Sequence, residues 1–484
     1  MNKNIATLEP VEVWKHFYEI TQIPRPSKNE AKASEFMASF GQKLGLETIV
    51  DKVGNVIIRK PAVPGMENTS GVILQSHLDM VPQKNNDKVH NFETDPITAF
   101  IDGEWVTADG TTLGADNGMG VAATMAVLES KTLKHGPIEA LFTIDEETGM
   151  TGAQELKPGL LKGKILINLD SEDEGELYVG CAGGLDGNFT FNYKEEKTPE
   201  NSVACKISLT GLKGGHSGMD IALGRGNANK LIIRLLKEVE PLNIRLASIA
   251  GGNVRNAIPR EAFVTITIPE TKINRLAEYI EEFEKTIKSE LQRTEPDLNI
   301  SMEKTELPVA VMDSDTQSRL IDAIYACPNG VIRMSDTMHG LVETSTNLAI
   351  VKNENGKVLI SCLLRSSVDS AKEDLAQMMQ AVFTLAGAEC KFTGGYPGWK
   401  PNPDSAILTK MKEVYQKLYG KIPEVKAIHA GLECGLLGGT YPEWDMISCG
   451  PTIRYPHSPD EKVKIETVGK WWKFLTEALA LLDF

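Results

Sequence analysis

Short apolar segments alternate with a helical segment in the first third of the chain, and this order restricts the possible fold more than any other feature. The runs at 71–76, 138–144 and 164–170 have the length and composition of buried strands. Between the first two, residues 117–130 carry apolar side chains at helical spacing. The pattern predicts an α/β fold in which a mixed, mostly parallel sheet is flanked by helices.

The pattern changes at about residue 187 and changes back near residue 396. Between these points strands and helices follow an α+β order, with a helix at 227–240 and an amphipathic helix at 274–291. A chain of 484 residues also exceeds the roughly 250 to 300 residues of a single hydrophobic core. We therefore expect one domain built from residues 1–186 and 397–484, interrupted by a large inserted α+β domain at 187–396.

Charge and cysteine content narrow the classes of partner. A formal net charge of −15 argues against nucleic acid and anionic membranes, which require a basic surface. The N-terminal segment lacks the apolar run of a secretory signal, and no apolar stretch is long enough to span a membrane. The seven cysteines are scattered and never spaced as CxxC, as expected of reduced thiols. These features predict a cytoplasmic protein that acts on a small molecule or peptide.

Each predicted strand of the first domain is followed by side chains that can bind a metal ion. His77 and Asp79 follow the first strand, and a carboxylate two residues away can fix the tautomer of a ligating histidine. Glu146 and Glu147 follow the second strand, where one can bind metal while its neighbour serves as general base. Asp170 ends the third. Ligands of open α/β sheets usually bind at this end of the strands.

Two further candidates lie outside these strands. Asp116 is flanked by small residues and could bridge two cations, although a helix N-cap is the simpler interpretation. His457 lies in a Pro-containing loop, where a lone histidine is usually just exposed, and the acids at 145–147 are equally compatible with a solvated turn. As a set, two imidazoles and three carboxylates favour Zn²⁺, Co²⁺ or Mn²⁺ over Ca²⁺ or Mg²⁺.

Six ordered segments resemble one known family: SHLDMVPQ, GADNGMGVA, TIDEETGMTGA, INLDSEDEG, GLKGGHSG and RYPHSPDE. They are similar to those of the dinuclear metallopeptidases that include carboxypeptidase G, aminoacylase and cytosolic dipeptidases, and the similarity covers essentially the whole chain. The resemblance implies two metal ions, Zn²⁺ above all, with these ligands: His77 and Asp170 on one, Glu147 and His457 on the other, and Asp116 bridging both. It also implies that Asp79 orients His77, that Glu146 is the base, and that a cis peptide bond follows Asp116.

The resemblance assigns substrate-binding roles within the inserted domain, which would act as a lid. His216 would donate to the oxyanion and Asn256 would help to hold the scissile carbonyl, although both also suit plain turns. Arg365 lies on an otherwise apolar strand, where a buried cation needs an anionic partner, and the terminal carboxylate of a substrate is a natural one. Gly431, in the segment 429–435, would line the substrate cleft.

The expected activity is metal-dependent hydrolysis of dipeptides with broad specificity, including those with C-terminal histidine. An N-acyl amino acid deacylase or a carboxypeptidase on the same metals is an alternative. A non-catalytic zinc- or peptide-binding protein is another, although retention of Glu146 beside all five ligands argues against it. A homodimer is compatible with the sequence, and whether His216 acts in its own subunit or in a partner is left open.

Overall fold

The computed structural model describes residues 5–482 and contains two compact units. The first unit comprises the chain up to Gly180, Pro401–Ala427 and the chain from Leu432 onward. The second comprises Cys181–Lys400 and Ile428–Gly431. The units divide at 180/181 and 400/401, whereas the sequence placed the boundaries at 186/187 and 396/397. The difference arises because the strand Gly183–Asn192 pairs within the sheet of the second unit.

The helices and strands are numbered in chain order. Helices α1 to α12 span Val11–Thr21, Ala31–Lys43, Ala115–Glu129, Glu146–Gly149, Thr151–Glu155, Ala228–Val239, Ile273–Glu290, Ser314–Ala326, Asp369–Leu385, Ala406–Tyr419, Glu433–Thr440 and Ile465–Leu481. Strands β1 to β25 span Glu47–Val50, Val56–Lys60, Val72–His77, Ala99–Asp102, Trp105–Ala108, Ile138–Thr143, Ile165–Asn168, Glu176–Cys181, Gly183–Asn192, Glu195–Lys197, Ser202–Thr210, Gly215–His216, Arg245–Gly251, Ala257–Ile258, Ala262–Pro269, Asn299–Thr305, Ala310–Met312, Gly330–Met334, Val342–Glu354, Lys357–Ser366, Glu389–Tyr396, Glu424–Ile428, Asp445–Ser448, Ile453–Arg454 and Lys462–Lys464. Within residues 5–482, every helix is too short or too polar to cross a lipid bilayer.

The first unit is built on an eight-stranded mixed sheet in the order β1-β2-β6-β3-β7-β23-β8-β22. Its four central strands, β6, β3, β7 and β23, run parallel, while β1, β2 and β8 pair antiparallel toward the edges. Every residue of β3, β6 and β7 is buried, as expected of strands covered on both faces. The predicted mixed sheet thus has its parallel strands at the centre, with the antiparallel strands β1, β2 and β8 on either side.

Helices α1, α2 and α3 cover the part of this sheet around β2 and β6. Their apolar side chains form one buried cluster with the strands, including Ile20, Met37, Met125, Val56 and Phe142. The last part of the chain completes the same sheet, because β23 pairs in parallel with β7. A smaller sheet in the order β24-β25-β5-β4 brings residues near 460 beside those near 107.

The second unit is an α+β structure with a nine-stranded sheet. Its main path runs β16-β11-β15-β13-β19-β20-β9-β21, and β18 pairs with β19 beside it. Helices α6 to α9 supply the apolar core with residues such as Leu236, Phe283, Leu320 and Phe383. Phe383 stacks on Phe189 of β9 with ring centroids 3.9 Å apart. Since these helices cover the apolar side chains of the strands, polar side chains of β9, β19 and β20 are available for other roles.

Candidate functional site

The chemistry-bearing side chains of the first unit follow three adjacent parallel strands. β3 ends at His77, β6 is followed by Glu146 and Glu147, and β7 is followed by Asp170. Strands of the same direction end at the same edge, so these four side chains converge there. The sequence predicted this edge as the ligand site, and the structure brings the four residues together.

Asp116 lies between two histidines, with one carboxylate oxygen directed to each. Its Oδ1 is 3.2 Å from His77 Nε2, and its Oδ2 is 3.2 Å from His457 Nε2. Asp170 Oδ1 is 3.3 Å from the same His77 nitrogen, and Glu147 Oε2 is 3.0 Å from the His457 nitrogen. The five predicted ligands therefore form two groups of three that share Asp116.

The spacing within these groups suits a divalent metal ion. Zinc bonds of about 2.0–2.2 Å place tetrahedral ligand atoms about 3.3 Å apart, close to the observed separations. His77 Nε2 faces carboxylate oxygens of both Asp116 and Asp170, as a ligand atom beside a shared cation would. Glu147 Oε1 is buried and has no hydrogen-bond partner among the described residues. The donor set and its spacing fit two cations, one in each group.

The electrostatics of the cluster also favour cations. Burial raises the pKa of Asp170 to about 6, and the neighbouring carboxylates of Asp116 and Glu147 add to this effect. Burial alone would lower the pKa of His77, but Asp170 and Asp116 raise it well above its usual value. Hydrogen bonds to Asp116 and Glu147 raise the pKa of His457 to about 11. The carboxylates thus hold positive charge on both imidazoles, which a metal ion would replace.

Asp79 connects the histidine of this cluster to the two glutamates. It is fully buried, and its Oδ1 lies 3.3 Å from His77 Nδ1, which is also 3.2 Å from the Asp79 carbonyl oxygen. The backbone N–H groups of Glu146 and Glu147 donate to its carboxylate at 3.0 and 3.2 Å, and Ser27 donates at 2.8 Å. Although burial opposes the shift, His77 and these donors lower the pKa of Asp79 to about 2. Asp79 therefore fixes both the imidazole ring of His77 and the turn that carries Glu146 and Glu147.

Glu146 begins helix α4 with its carboxyl group inside the cluster. One of its oxygens lies within 4.8 Å of potential ligand atoms of His77 and Glu147. Burial raises the pKa of Glu146 well above its usual value, although His77 opposes the shift. Asp145 precedes it with φ of 53° and accepts hydrogen bonds from Thr148 and Thr151, so the turn is held from both sides.

The remaining predicted site residues belong to the second unit. His216 lies on β12, which pairs with β14 directly after Asn256. The His216 Nδ1 accepts N–H groups of Gly218 at 3.2 Å and Met219 at 3.0 Å, so its proton is on Nε2. Burial, helped by Arg365, lowers the pKa of His216 and keeps the ring neutral. Asn256 is exposed, and its backbone carbonyl oxygen accepts from Ser217 N–H at 2.8 Å.

Arg365 and the segment with Gly431 are also in the second unit. Arg365 is only 5% exposed, and its Nε lies 3.4 Å from Ser217 Oγ. No side chain in residues 5–482 forms an ion pair with it. His429 is buried with its Nε2 2.7 Å from Ser345 Oγ. Burial, Arg365 and His216 lower the pKa of His429 to about 3. Among the described residues, the possible metal groups do not include His429.

Comparison with known proteins shows the family of this chain. Residues 73–480 match the family model described as peptidase family M20/M25/M40. The chain belongs to this family. It is 47% identical to the cytosol non-specific dipeptidase of Escherichia coli K12, over 98% of each chain. The structure of aminoacylhistidine dipeptidase from Vibrio alginolyticus superposes with a TM-score of 0.94 and 51% identity, covering 99% of this chain and 97% of that one.

The family relationship confirms the predicted class of enzyme: the chain is a peptide-bond hydrolase. A more distant solved structure shares the fold. The aminopeptidase PepT from Bacillus cereus is 16% identical with a TM-score of 0.63, and covers 99% of this chain and all of its own.

Two buried charged residues that the sequence analysis missed support the metal-binding edge in this family member. Glu461, only 2% exposed, accepts the N–H groups of four successive residues at 2.7–3.1 Å: Leu113, Gly114, Ala115 and Asp116. Burial raises the pKa of Glu461 to about 7. Arg25 donates to the carbonyl oxygens of Leu78 at 2.9 Å and Asp79 at 2.7 Å, and also to Gly114. Together they hold the turn that carries Asp116 and the end of β3.

The turn itself has special backbone geometry. Gly114 has φ of 70°, and a Cβ there would lie 2.6 Å from the Arg25 guanidinium, so this position requires glycine. The Asp116–Asn117 peptide bond is cis, as the resemblance implied. Asn117 donates to the Leu169 carbonyl at 2.8 Å and also bonds to Asp170. The turn is thereby tied to the residue that follows β7.

A third unanticipated residue, Glu433, is fully buried at the start of α11. It accepts from Gln75 Nε2 at 2.6 Å and Thr143 Oγ1 at 2.8 Å, and Gln75 in turn accepts from Asn168 at 2.5 Å. Burial raises the pKa of Glu433 to about 8. Gln75 and Asn168 lie two residues before His77 and Asp170, so this polar row supports the strand ends that carry them.

Proposed function

We propose that this chain is a dipeptidase of broad specificity, accepting dipeptides with C-terminal histidine, that works with two divalent metal ions. The observation that carries the proposal is the position of Asp116, whose two oxygens each face a different histidine at 3.2 Å. A carboxylate shared in this way is what a two-metal site needs. The names of the two relatives at 47% and 51% identity support the choice of dipeptides.

The residues of each group suggest how the metals would be held. His77 and Asp170 would bind one ion, Glu147 and His457 the other, and Asp116 both. The mixed N/O donor set favours Zn²⁺, with Co²⁺ and Mn²⁺ as alternatives. Ions bound there would polarise the peptide carbonyl and make nearby water more acidic.

Glu146 is the proposed general base. Its carboxylate takes the proton of the attacking water and passes it to the leaving nitrogen, as a general base and acid does. A carboxyl group whose pKa is raised by burial holds a proton between these two steps. Asp79 keeps the backbone of Glu146 in place through the 3.0 Å hydrogen bond to its N–H.

We assign substrate contacts to the second unit, which we propose acts as a lid. The Nε2–H of His216 is a free donor, because Nδ1 is occupied by two backbone N–H groups, and such a donor suits a developing oxyanion. Asn256 would help to hold the carbonyl, and Gly431 would line the cleft. Arg365, buried without an ion-pair partner in the described chain, would bind the C-terminal carboxylate of the dipeptide.

The main rivals are an N-acyl amino acid deacylase and a carboxypeptidase, since both also bind a carboxylate. Turnover of Ala-His, Leu-Gly and N-acetyl amino acids separates these activities in one assay series. We expect both dipeptides to be cleaved, the activity to vanish with a chelator, and Zn²⁺, Co²⁺ or Mn²⁺ to restore it. Full activity in metal-free protein would exclude the mechanism, and preference for the N-acetyl substrates would favour the deacylase.

We also propose that the protein is cytoplasmic and that it forms a homodimer. The location rests on the name of the Escherichia coli relative, a cytosol dipeptidase. Solution mass by light scattering decides the assembly. Mixing His216→Ala with Glu146→Gln protein would restore activity only if His216 acts in a partner subunit.

A further inference from the structure

A row of residues crosses four neighbouring strands in the sheet of the second unit. Ser345 on β19 is opposite Arg365 on β20, Arg365 is opposite Gly184 on β9, and Gly184 is opposite Tyr396 on β21. Directly opposed residues of antiparallel strands project from the same face. Arg365 and Tyr396 are therefore on one face, separated by a single strand whose residue has no side chain.

The ring of Tyr396 lies on Gly184. A Cβ at position 184 would be 2.5 Å from Cε1 of the ring and 2.8 Å from both Cζ and the hydroxyl oxygen. The ring therefore extends across β9 with its hydroxyl end over the glycine, on the way to β20. This places the hydroxyl beside the strand that carries Arg365, whose charge affects the pKa of the phenol. Any larger residue at 184 would displace the ring.

The guanidinium of Arg365 is left without a matching negative charge. Asp186 is the acid whose charge affects the pKa of Arg365, but it already pairs with Arg255. Both carboxylate oxygens of Asp186 lie 2.7 Å from one guanidinium nitrogen of Arg255. Within residues 5–482, its remaining polar contact is a long one of 3.4 Å from Nε to Ser217 Oγ. A cation buried in this way is costly unless an anion joins it.

Tyrosine has the chemistry to complete an anion site beside this arginine. A phenol oxygen accepts one hydrogen bond while its O–H donates another, whereas guanidinium only donates. Burial raises the pKa of Tyr396 even though Arg365 opposes the shift, so the hydroxyl keeps its proton at neutral pH. If the oxygen accepts from Arg365, the proton remains available for an anion.

We propose that Tyr396 is a substrate-binding residue whose hydroxyl accepts a hydrogen bond from Arg365 and donates its own to the C-terminal carboxylate of the dipeptide. Gly184 permits this contact because it has no side chain to occupy the space of the Tyr396 ring. The inference rests on the proposed role of Arg365 and adds a second carboxylate ligand. It predicts a preference for free acids over amides, because an amide accepts hydrogen bonds more weakly and turns N–H groups toward the arginine.

The test compares Leu-Gly with Leu-glycinamide in the metal-loaded enzyme. For Tyr396→Phe, we expect KM for Leu-Gly to rise about ten- to a hundredfold, as for a lost hydrogen bond to a charged group, with kcat little changed. The acid-over-amide preference should fall by a similar factor, because the amide never used the hydroxyl fully. Tyr193→Phe, directly after the far end of β9, is the matched control and should alter neither value.

Gly184→Ala tests whether the Tyr396 ring needs the space that glycine leaves at position 184. It should reduce the acid-over-amide preference in the parent but add no further loss to Tyr396→Ala, in which no ring is left to displace. Metal content and the thermal midpoint, measured on every variant, separate this effect from misfolding. Equal losses on acid and amide in Tyr396→Phe, or no loss at all, would overturn the proposal even if Gly184→Ala does not fold.

The outcomes also separate this inference from the proposed function. If the parent enzyme does not hydrolyse Leu-Gly in a chelator-sensitive way, the dipeptidase assignment fails. If Arg365→Ala lowers the acid-over-amide preference but Tyr396→Phe does not, the carboxylate site stands and the role of Tyr396 falls.

Discussion

At the scale of single residues, Glu146 and Glu147 are neighbours with different proposed tasks. Glu146→Gln keeps the shape of the side chain but cannot take up a proton, so kcat should fall about a hundredfold or more. Its metal content should stay at the parent level, whereas Asp116→Ala should lose metal because both groups share that carboxylate. Elemental analysis with steady-state kinetics checks both. Equal metal depletion in Glu146→Gln would mean that base and ligand are misassigned.

Arg365 makes a second prediction at this scale. Arg365→Ala should weaken catalysis of free-acid dipeptides by about 2–5 kcal/mol, the range for one partner lost from a buried charge pair. Amidated dipeptides, poor substrates of the parent, should be barely affected. The exposed Arg260 offers a matched control on the same unit, since Arg260→Ala removes a charge without emptying a buried site. An equal proportional loss on acid and amide would make Arg365 a structural residue.

The buried His429 should make the stability of the fold depend on pH. Its folded pKa of about 3 lies below the unfolded value of about 6.5, so the neutral ring stabilises the fold above pH 6.5 and this stabilisation is lost as pH falls toward 3. Between pH 7 and 5 the loss amounts to about 2 kcal/mol. Urea midpoints of metal-free protein should fall less steeply with acid in His429→Gln than in the parent. The exposed His339→Gln should follow the parent, and an unchanged slope in His429→Gln would refute the assignment.

At the scale of elements, the turn before α3 is positioned from a distant part of the chain. Glu461→Gln would replace one acceptor oxygen by an NH₂ group facing the N–H groups of residues 113–116. Since these hydrogen bonds orient Asp116, we expect metal affinity to fall about 10- to 100-fold, as for other residues that support a metal ligand. Competition with a chromophoric chelator measures it. Asp460→Asn, an exposed neighbour, is the control, and parent-like affinity in Glu461→Gln would contradict this role.

The ends of the central strands could be predicted because their apolar runs are short and uninterrupted. The runs at 71–76, 138–144 and 164–170 correspond to strands Val72–His77, Ile138–Thr143 and Ile165–Asn168, so the side chains after them were placed at one edge. The positions of the antiparallel strands in this mixed sheet could not be predicted in the same way, since an edge strand such as β1 is partly exposed and lacks an apolar run.

Residues that support the site escaped prediction for a different physical reason. Arg25 and Glu461 bond to backbone groups 53 to 348 positions away, and Glu433 to side chains of β3 and β6. A charged residue in a loop is usually solvated. No pattern in the neighbouring sequence predicts a hydrogen bond to a residue so far away along the chain. The row of Ser345, Arg365, Gly184 and Tyr396 could not be predicted either. The sequence of a strand does not reveal which residues of a neighbouring strand lie opposite it in the sheet.

At the scale of the whole molecule, metal binding and the substrate contacts proposed here belong to different compact units. Within residues 5–482, every group of side chains able to hold a metal ion lies in the first unit. A ligand that binds only the folded state stabilises the part of the structure that it requires, by an amount that grows with its concentration over Kd. Metal removal should therefore loosen the first unit more than the second.

Amide hydrogen exchange measured with and without a chelator checks this expectation segment by segment. Chelation should speed exchange in β3, β6, β7 and the start of α3, whose ends carry the ligands. The strands β11, β15 and β20 of the second unit should keep the protection that they have in metal-loaded protein, because their hydrogen bonds involve no ligand. Asp116→Ala, exchanged without chelator, should reproduce the same pattern and so exclude an effect of the chelator itself. Faster exchange of equal size in both units would show that the metals stabilise the molecule as one cooperative body.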